Sequence, residues 1–333
     1  MNPSFKFKKN FLITLIALAI VLIAVNIILK DHSTYPEEKE TQIDENEISK
    51  RFKKIFDDFG IEPDLVKEKK SIDKKTRFEF VSFKIQVPKD LSIPEILLEI
   101  YKSFGKDSII INSVEKVKGG RSILTFQSGK KIFLEAEFEY SKNHYRNMGS
   151  LVIILYDVNP TDPSTISLIE SPTKLNFLIR PETQYLQAIE IIKSNSQQFS
   201  ILIDDEISEQ KYQLGPEFSE QRTITVIKTL VTDFKKAVCF IVDDMSDFYK
   251  STNNKILNSE LSKRNIKLYK TSDFVFLDHN ENLKFVFEEK LNELAKGGTI
   301  LFLLSEDSYL ALMTEIIKYE MKGFKVITSS LVL

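Results

Sequence analysis

The sequence has little of what most metal and nucleotide sites are built from. It contains one cysteine, three histidines, ten glycines and no tryptophan in 333 residues. A single cysteine, Cys239, excludes an intrachain disulfide and a cysteine-based metal cluster. Its place inside an apolar, strand-like run is typical of a small buried hydrophobic residue rather than a nucleophile. Three histidines are few for a zinc hydrolase.

The common catalytic and nucleotide-binding motifs are also missing. No G-x-G-x-x-G, Walker, G-x-S-x-G or H-E-x-x-H pattern occurs, which argues against a glycine loop, a nucleophile elbow and a zincin helix. The formal net charge of -2 gives no general argument for binding nucleic acid or an anionic membrane surface. Hydrophobic residues make up 42% and charged residues 28%, so the composition is that of a globular protein with room for roughly two domains.

The one long apolar run lies near the N-terminus, at residues 11–29, and contains no charge. Its length suits a bilayer core. Lysines precede it and an acidic stretch follows it, so the positive-inside rule places the N-terminus in the cytoplasm and the rest of the chain outside. We therefore predict a single-pass protein of the cytoplasmic membrane with a periplasmic C-terminal part. A cleaved signal peptide is the alternative, and it is less favoured because the run exceeds the usual hydrophobic region.

The pattern divides the chain into four parts. Residues 1–30 form the cytoplasmic tip and transmembrane anchor, and residues 31–46 are a polar, acidic linker. Residues 47–149 read as a small α+β domain. It begins with an aromatic stripe at helical spacing that stops at Gly60. Alternating strands follow, one of them at residues 131–140, together with one amphipathic helix at residues 93–104. Residues 150–333 alternate strands with helices, which indicates a mostly parallel sheet, either open or closed into a barrel.

Four apolar runs in this last part end in carboxylates. The acids that follow them are Asp157, the group Asp204, Asp205 and Glu206, the pair Asp243 and Asp244, and Asp278. Because the C-terminal ends of parallel strands meet at one edge of a sheet, these acids are expected to line a common rim. The alternative for each single acid is that it caps the following helix.

As an ordered set, these segments resemble the divergent polysaccharide deacetylases, relatives of the NodB-type carbohydrate esterases. Residues 156–159 (YDVN) stand where the family has an Asp-Asp-x-Gly motif, and residues 171–181 (SPTKLNFLIRP) match its proline-led strand. The further matches follow in the family's order at residues 202–206 (LIDDE), 243–247 (DDMSD), 272–278 (SDFVFLD), 291–308 (LNELAKGGTILFLLSEDS) and 322–330 (KGFKVITSS).

The resemblance implies an α/β fold with a distorted NodB-like (β/α) barrel, following the small α+β domain and the transmembrane helix. It also implies a hydrolase of C–N amide bonds that uses a divalent metal to activate water. The positions that match the family's site are Asp157 and Asp244 as metal ligands, with Glu206 beside them as a third catalytic candidate. The family's motif histidines are missing, and one of them is replaced by Asp244. Zinc is therefore disfavoured, because zinc sites prefer nitrogen and sulfur ligands.

The resulting expectation is a membrane-anchored, exported deacetylase-like protein that has lost catalysis and binds a cell-envelope glycan or an envelope protein. One alternative is an active deacetylase in which acids alone hold a hard cation such as Mg²⁺, Ca²⁺ or Mn²⁺. The acids in that alternative would be Asp157, Asp204, Asp205, Asp243 and Asp244. Another alternative is a purely structural envelope protein whose acids are solvated helix caps.

Overall fold

The computed structural model describes residues 45–73, 76–105, 107, 109–129, 131–278 and 280–333. Residues Arg51–Leu333 form one compact unit that contains two separate β-sheets. No helix in these described ranges is long and apolar enough to cross a bilayer. The predicted anchor at residues 11–29 and most of the predicted linker lie outside the described residues.

The first sheet is mixed and is covered by two helices. Its elements are α1 (Glu45–Asp58), β1 (Val66–Ile72), β2 (Glu79–Val87), α2 (Ile93–Phe104), β3 (Ile110–Glu115), β4 (Ser122–Ser128) and β5 (Lys131–Tyr140). The strand order is β1-β2-β5-β4-β3, and only the β2–β5 pair is parallel.

Aromatic side chains hold the helices on this sheet. The Phe52 ring on α1 lies 5.1 Å from the Phe83 ring on β2 and 5.7 Å from the Phe126 ring on β4, measured between centroids. The Phe104 ring on α2 lies 5.0 Å from the same Phe126 ring. Because both helices meet Phe126, they cover the same face of the sheet. The helical aromatic stripe predicted from the sequence is therefore a core face.

The second sheet is parallel and alternates with helices. Its elements are β6 (Gly149–Leu155), α3 (Pro163–Ile169), β7 (Asn176–Ile179), α4 (Leu186–Ser194), β8 (Gln198–Ile203), α5 (Glu220–Asp233), β9 (Phe240–Val242), α6 (Asp247–Lys250), α7 (Asn253–Ser262), β10 (Leu268–Lys270), β11 (Val275–Leu277), α8 (Leu283–Glu293), β12 (Thr299–Leu304), α9 (Glu306–Lys322) and β13 (Phe324–Val326). Short 3₁₀ helices lie at Pro63–Leu65, Thr183–Tyr185, Thr271–Asp273 and Ser329–Leu331.

This sheet is an open half-barrel, so the predicted distorted (β/α) barrel is wrong. The strand order is β10-β9-β8-β7-β6-β12-β11, and every strand pair in it is parallel. Strand β6 pairs along most of its length with β12, while its other side is shared by β7 at one end and β13 at the other. The two outermost strands, β10 and β11, do not pair with each other within the described ranges.

Both faces of the second sheet are buried. One face carries Leu151, Ile153 and Leu155 of β6 into the main core beneath the helices, and the other carries Val152 and Ile154 into a second cluster. The C-terminal segment packs against this second cluster through Ile327 and Leu333. Burial on two sides explains why the strands read as continuous apolar runs instead of alternating ones.

A buried arginine joins the two sheets. Arg146, between β5 and β6, donates from Nε to Asp90 Oδ2 at 2.8 Å and from its backbone N–H to Asp90 Oδ1 at 3.0 Å. Its Nη1 donates to the carbonyl oxygens of Phe59, at 2.7 Å, and Met321. Phe59 follows α1 and Asp90 lies between β2 and α2, whereas Met321 lies in α9, so this one side chain connects segments that are distant in the sequence.

Candidate functional site

The candidate site lies along the C-terminal ends of four neighbouring strands. In the order β9-β8-β7-β6, these strands are followed by Asp243, Asp204, Arg180 and Asp157. Parallel strands deliver the residues that follow them to one edge of the sheet. Arg180 follows the strand between β6 and β8, so acids come to it from both sides.

The guanidinium of Arg180 pairs with three carboxylates. Its Nε lies 2.7 Å from Asp204 Oδ2, its Nη2 2.5 Å from Glu206 Oε2, and its Nη1 3.4 Å from Asp157 Oδ1. The Asp204 side chain is 7% exposed and that of Arg180 31%, whereas Asp157 and Glu206 are 71% and 73% exposed. The cluster therefore has a buried floor at Asp204 and an open rim.

Burial and pairing act against each other in this cluster. Burial raises the pKa of the Asp204 carboxyl above its ordinary value, although the hydrogen bond from Arg180 opposes that shift. Burial also opposes the charge on Arg180, but the hydrogen bond to Asp204 and the charges of Asp204, Glu206 and Asp157 outweigh it and raise the pKa of the guanidinium. The arginine thus stays positively charged at every pH at which the protein is folded.

The backbone at Asp157 is unusual. Its φ is 54°, in the left-handed region that non-glycine residues rarely adopt and that aspartate tolerates better than most. The preceding residue, Tyr156, donates its backbone N–H to the Leu304 carbonyl at 2.9 Å, which ends the β6–β12 ladder just before this turn. Backbone strain of this kind clusters at functional sites.

A second group of acids lies across the rim. Asp244 Oδ1 accepts a hydrogen bond from the Thr271 hydroxyl at 2.6 Å, and Asp243 Oδ1 accepts one from the Met245 backbone N–H at 3.0 Å. Hydrogen bonds from Ser272 and Thr271 lower the pKa of Asp244. No Lys or Arg in the described ranges comes within salt-bridge distance of Asp243 or Asp244, in contrast to the Arg180 cluster.

Other residues singled out from the sequence lie elsewhere. Asp205 accepts hydrogen bonds from the backbone N–H groups of Asp247, at 2.6 Å, and Phe248, at 3.1 Å, so it caps the start of α6. His144 lies in the segment leading into β6, at the opposite edge of the sheet, where its carbonyl accepts the Lys89 N–H at 3.0 Å. His32 and His279 lie outside the described residues.

An aromatic cleft of about 480 Å³ opens between the two groups of acids. The Tyr156 and Phe276 rings meet on its wall with centroids 5.1 Å apart and planes tilted by 40°. Burial, followed by the charges of Asp278 and Asp157, raises the pKa of the Tyr156 hydroxyl, which therefore stays protonated. The remaining lining residues are Leu178, Arg180, Leu202, Asp204, Asp243, Asp244, Met245, Thr271, Ser272, Phe274 and Leu303.

Arg180 also lines a smaller recess of about 130 Å³ on its other side, together with Asp157, Asn159, Glu182 and Tyr185 among others. Of the three predicted site residues, Asp157 and Glu206 therefore meet through Arg180, and Asp244 lies on the cleft wall with it. Sequence reasoning gave no role to Arg180, Thr271 or Phe276. A basic residue directly after a buried strand, between two strands followed by acids, was the available signal for Arg180.

A divalent metal does not fit the Arg180 cluster. The guanidinium already contacts Asp157, Asp204 and Glu206, and the second oxygen of Asp204 accepts the Glu206 backbone N–H at 3.1 Å. In the part of the chain that the structure describes, no group of three or more His, Cys, Asp or Glu side chains is arranged to hold a metal. A metal ion at this place would lie against a fixed positive charge.

Comparisons with known proteins add little. No family model matches the chain, and no curated protein matches it. Among solved structures, it is similar to an uncharacterized protein, ATU2773, from Agrobacterium tumefaciens C58. The two are 10% identical with a TM-score of 0.38, and the alignment covers 58% of this chain and 92% of that chain. A likeness of this size carries no argument about the fold or the function.

Proposed function

We propose that this protein is an exported, membrane-attached protein that binds a cell-envelope glycan in the cleft at the strand ends and has no deacetylase activity. The observation that carries the proposal is the cleft itself, in which the Tyr156–Phe276 wall faces Asp243, Asp244 and Arg180. Ligand pockets combine an apolar lining with a few convergent polar groups.

The lining suits a sugar ring. The apolar C–H face of a pyranose packs against an aromatic ring, and aromatic side chains bury much area at little cost in side-chain freedom. The hydroxyl groups at the edge of the sugar are donors, and carboxylates such as Asp244 are strong charge-assisted acceptors. Asp244 is already held in place by Thr271, so it need not be ordered when the ligand binds.

The Arg180 cluster supports a binding role in place of hydrolysis. A metal-dependent deacetylase needs a bound metal ion, which makes a water molecule acidic, and a free carboxylate that serves as base. Asp157 and Glu206, two of the three predicted catalytic acids, are both paired with Arg180, whereas the third, Asp244, accepts a hydrogen bond from Thr271. Each of the two paired acids already has a cation as its partner, so neither stands in the rim as a free carboxylate base.

Binding is tested by titrating the purified protein with chitooligosaccharides, peptidoglycan fragments and cellooligosaccharides. Phe276→Ala is expected to weaken binding about tenfold, or by about 1.4 kcal/mol, because it removes half of the aromatic wall. Phe78→Ala is the matched control, since Phe78 is 51% exposed and Phe276 53% exposed, and Phe78 precedes β2 in the other sheet. Equal effects of the two substitutions, or no binding of any glycan, would contradict the proposal.

Catalysis is tested on acetylated chitooligosaccharides and peptidoglycan fragments by measuring acetate release with added Zn²⁺, Co²⁺, Mn²⁺ or Mg²⁺. No release above background is expected. Asp157→Asn serves as the control for contaminating enzymes. Metal-stimulated release that this one substitution abolishes would identify an active enzyme and remove the proposal.

Export rests on the sequence pattern of residues 11–29 and its flanking charges. On spheroplasts, an added protease is expected to digest the part of the chain after residue 30. Complete protection of that part would place the cleft in the cytoplasm, where it would meet no envelope glycan.

A further inference from the structure

The recess on the other side of Arg180 adjoins the aromatic cleft. Both cavities are lined by Leu178, Arg180 and Leu202, so one guanidinium lies between them. We propose that the recess is a second binding subsite, which takes the next sugar ring of the same glycan, and that the ligand is therefore a linear oligosaccharide that crosses Arg180. This inference rests on the proposed function, because it gives the glycan bound in the cleft a minimum length and a path.

The two cavities lie side by side along the strand ends. The recess is formed by the loop after β6, at residues 157–159, and by the segment after β7, with Glu182 and Tyr185. The cleft instead includes residues that follow β8 and β9, among them Asp204 and Asp243. Because these neighbouring parallel strands end at the same edge of the sheet, an extended ligand can contact both cavities at once.

The recess has the same kind of lining as the cleft, on a smaller scale. Tyr185 is half-buried and presents an aromatic ring with a hydroxyl, and Glu182 presents a carboxylate to the same recess. Burial, followed by the charge of Glu182, raises the pKa of the Tyr185 hydroxyl, which therefore stays protonated and can donate. A pyranose has an apolar C–H face and a rim of hydroxyls, and an aromatic ring beside polar groups matches both.

Both walls of the recess are held in place by hydrogen bonds. Thr183, two residues before Tyr185, donates its backbone N–H to Glu209 Oε2 at 2.7 Å and its hydroxyl to Glu209 Oε1. On the opposite wall, Asn159 Oδ1 accepts the Thr161 N–H at 3.1 Å, which closes the loop after β6. A site that is ordered in advance loses less conformational freedom when a ligand binds.

Arg180 is suited to a position between two sugar rings. A guanidinium carries five N–H groups, and the carboxylates of Asp157, Asp204 and Glu206 each face a different nitrogen of it. Among the described residues, these contacts leave one N–H on Nη1 and one on Nη2 for a ligand. The ring oxygens of a glycan and the oxygen that joins two rings are acceptors, so a glycan that crosses Arg180 satisfies these donors.

The experiment compares glycans of increasing length, from the monosaccharide to the tetrasaccharide, in the chitooligosaccharide and cellooligosaccharide series. Affinity for the purified protein is measured by calorimetry and, for weak ligands, by NMR titration. One step in length is expected to raise the affinity at least about tenfold, where the glycan first reaches past Arg180. Longer glycans should gain little more. A recess that holds only water gives no such step.

Substitutions locate the step. Tyr185→Ala is expected to cancel it and to leave the affinity of the shortest glycan unchanged, because that glycan occupies only the cleft. Tyr185→Phe keeps the ring and removes the hydroxyl, so it should reduce the step without cancelling it. Phe276→Ala, in the cleft, should instead weaken binding of glycans of every length. Tyr101→Ala, at a half-buried tyrosine of α2, is the matched control and should change none of these affinities.

The outcomes separate this inference from the proposed function. If no glycan of any length binds the wild type, glycan binding itself fails. If glycans bind with an affinity that does not depend on length, the recess is not a second subsite and only this inference fails. The same conclusion follows if both Tyr185 variants weaken binding of the shortest glycan as much as binding of the longer ones.

Discussion

Two arginines organise this protein, one at the junction of the two sheets and one at the rim of the parallel sheet. Arg146 is almost fully buried and donates to one carboxylate and to two backbone carbonyls. Arg180 is half-buried and meets three carboxylates. Backbone carbonyls are fixed parts of the fold, whereas carboxylates at an open rim are exchangeable partners for hydroxyls, protons and cations. The contacts of the guanidinium thus distinguish an arginine that connects two parts of the fold from an arginine that belongs to the candidate site.

The largest effect is expected from Arg146→Ala. The substitution removes the guanidinium that donates to Asp90, Phe59 and Met321, and breaking a buried ion pair on one side costs about 3–5 kcal/mol. Denaturant unfolding measures the loss. The corresponding substitution at the rim, Arg180→Ala, should lower the free energy of unfolding clearly less. Equal losses would show that the two arginines do not differ in their structural role.

Two glycines allow a second comparison, between the junction of the two sheets and an open position. Gly60, next to Phe59, has a φ of 61°, and a Cβ there would lie 2.0 Å from the Lys322 carbonyl oxygen. Gly119 has a φ of 66° and no atom within 4 Å of such a Cβ. Gly119→Ala should cost about 1–3 kcal/mol from backbone strain alone, and Gly60→Ala should cost more because α9 must move. Unfolding curves of the two variants give the difference, and similar losses would show that the junction tolerates movement.

At the rim, Arg180→Gln is expected to lower the free energy of unfolding by about 1–3 kcal/mol, because Asp204 is left buried without its charged partner. Asp204→Asn combined with Arg180→Gln should recover part of this loss, since no buried charge then remains. A double-mutant cycle measures the coupling. Additive losses would mean that the two side chains do not stabilise each other.

The smallest expected effect is on the pH dependence of stability, and its sign differs between Asp90, at the junction of the sheets, and Asp204, at the rim. Burial alone would raise the pKa of Asp90, but the hydrogen bonds from Arg146 outweigh it and lower the pKa, whereas burial raises the pKa of Asp204. An unfolded aspartate titrates at about 3.9. The contribution of Asp90 is therefore complete above about pH 4 and is lost as the pH falls through its folded pKa.

The contribution of Asp204 runs the other way: it is complete below about pH 4 and is lost as the pH rises through its folded pKa. Carboxyl NMR titrations should place the two pKa values on opposite sides of the ordinary value. In unfolding experiments, Asp90→Asn should remove a rise of stability with pH, and Asp204→Asn should remove a fall. Two shifts of the same sign would contradict the comparison.

The sequence predicts the two regions unequally well. In the first sheet, the predicted helix at residues 93–104 and strand at residues 131–140 have the bounds that the structure shows, because each carries a clear apolar period. Strand β1 was missed. Its residues, VKEKKSI, are mostly exposed at the edge of the sheet, so burial imposes no alternation on them. The polar helix α7 was missed for a similar reason.

In the second sheet, the sequence predicts the strands other than β10 and the acids that follow them, but it does not predict that the sheet stays open. An alternating series of strands and helices fits an open sheet as well as a barrel, and the pairing of β13 beside β7 on one edge of β6 is a long-range event without a local signal. The role of Arg180 was missed because the acids were read without their counterion. Strand order, which sequence reading leaves open, is what brings them together.

The hydrogen bonding of β6 has a consequence for the order in which the chain can fold. This strand is the first of its sheet to be synthesised, yet it pairs with β12 and β13, the last two. Until those late segments have emerged, β6 keeps an apolar, unpaired edge, which is a template for aggregation. Non-local pairing of this kind also folds slowly. The parallel half is therefore expected to depend on chaperones during synthesis, whereas the first sheet, complete by Tyr140, can form earlier.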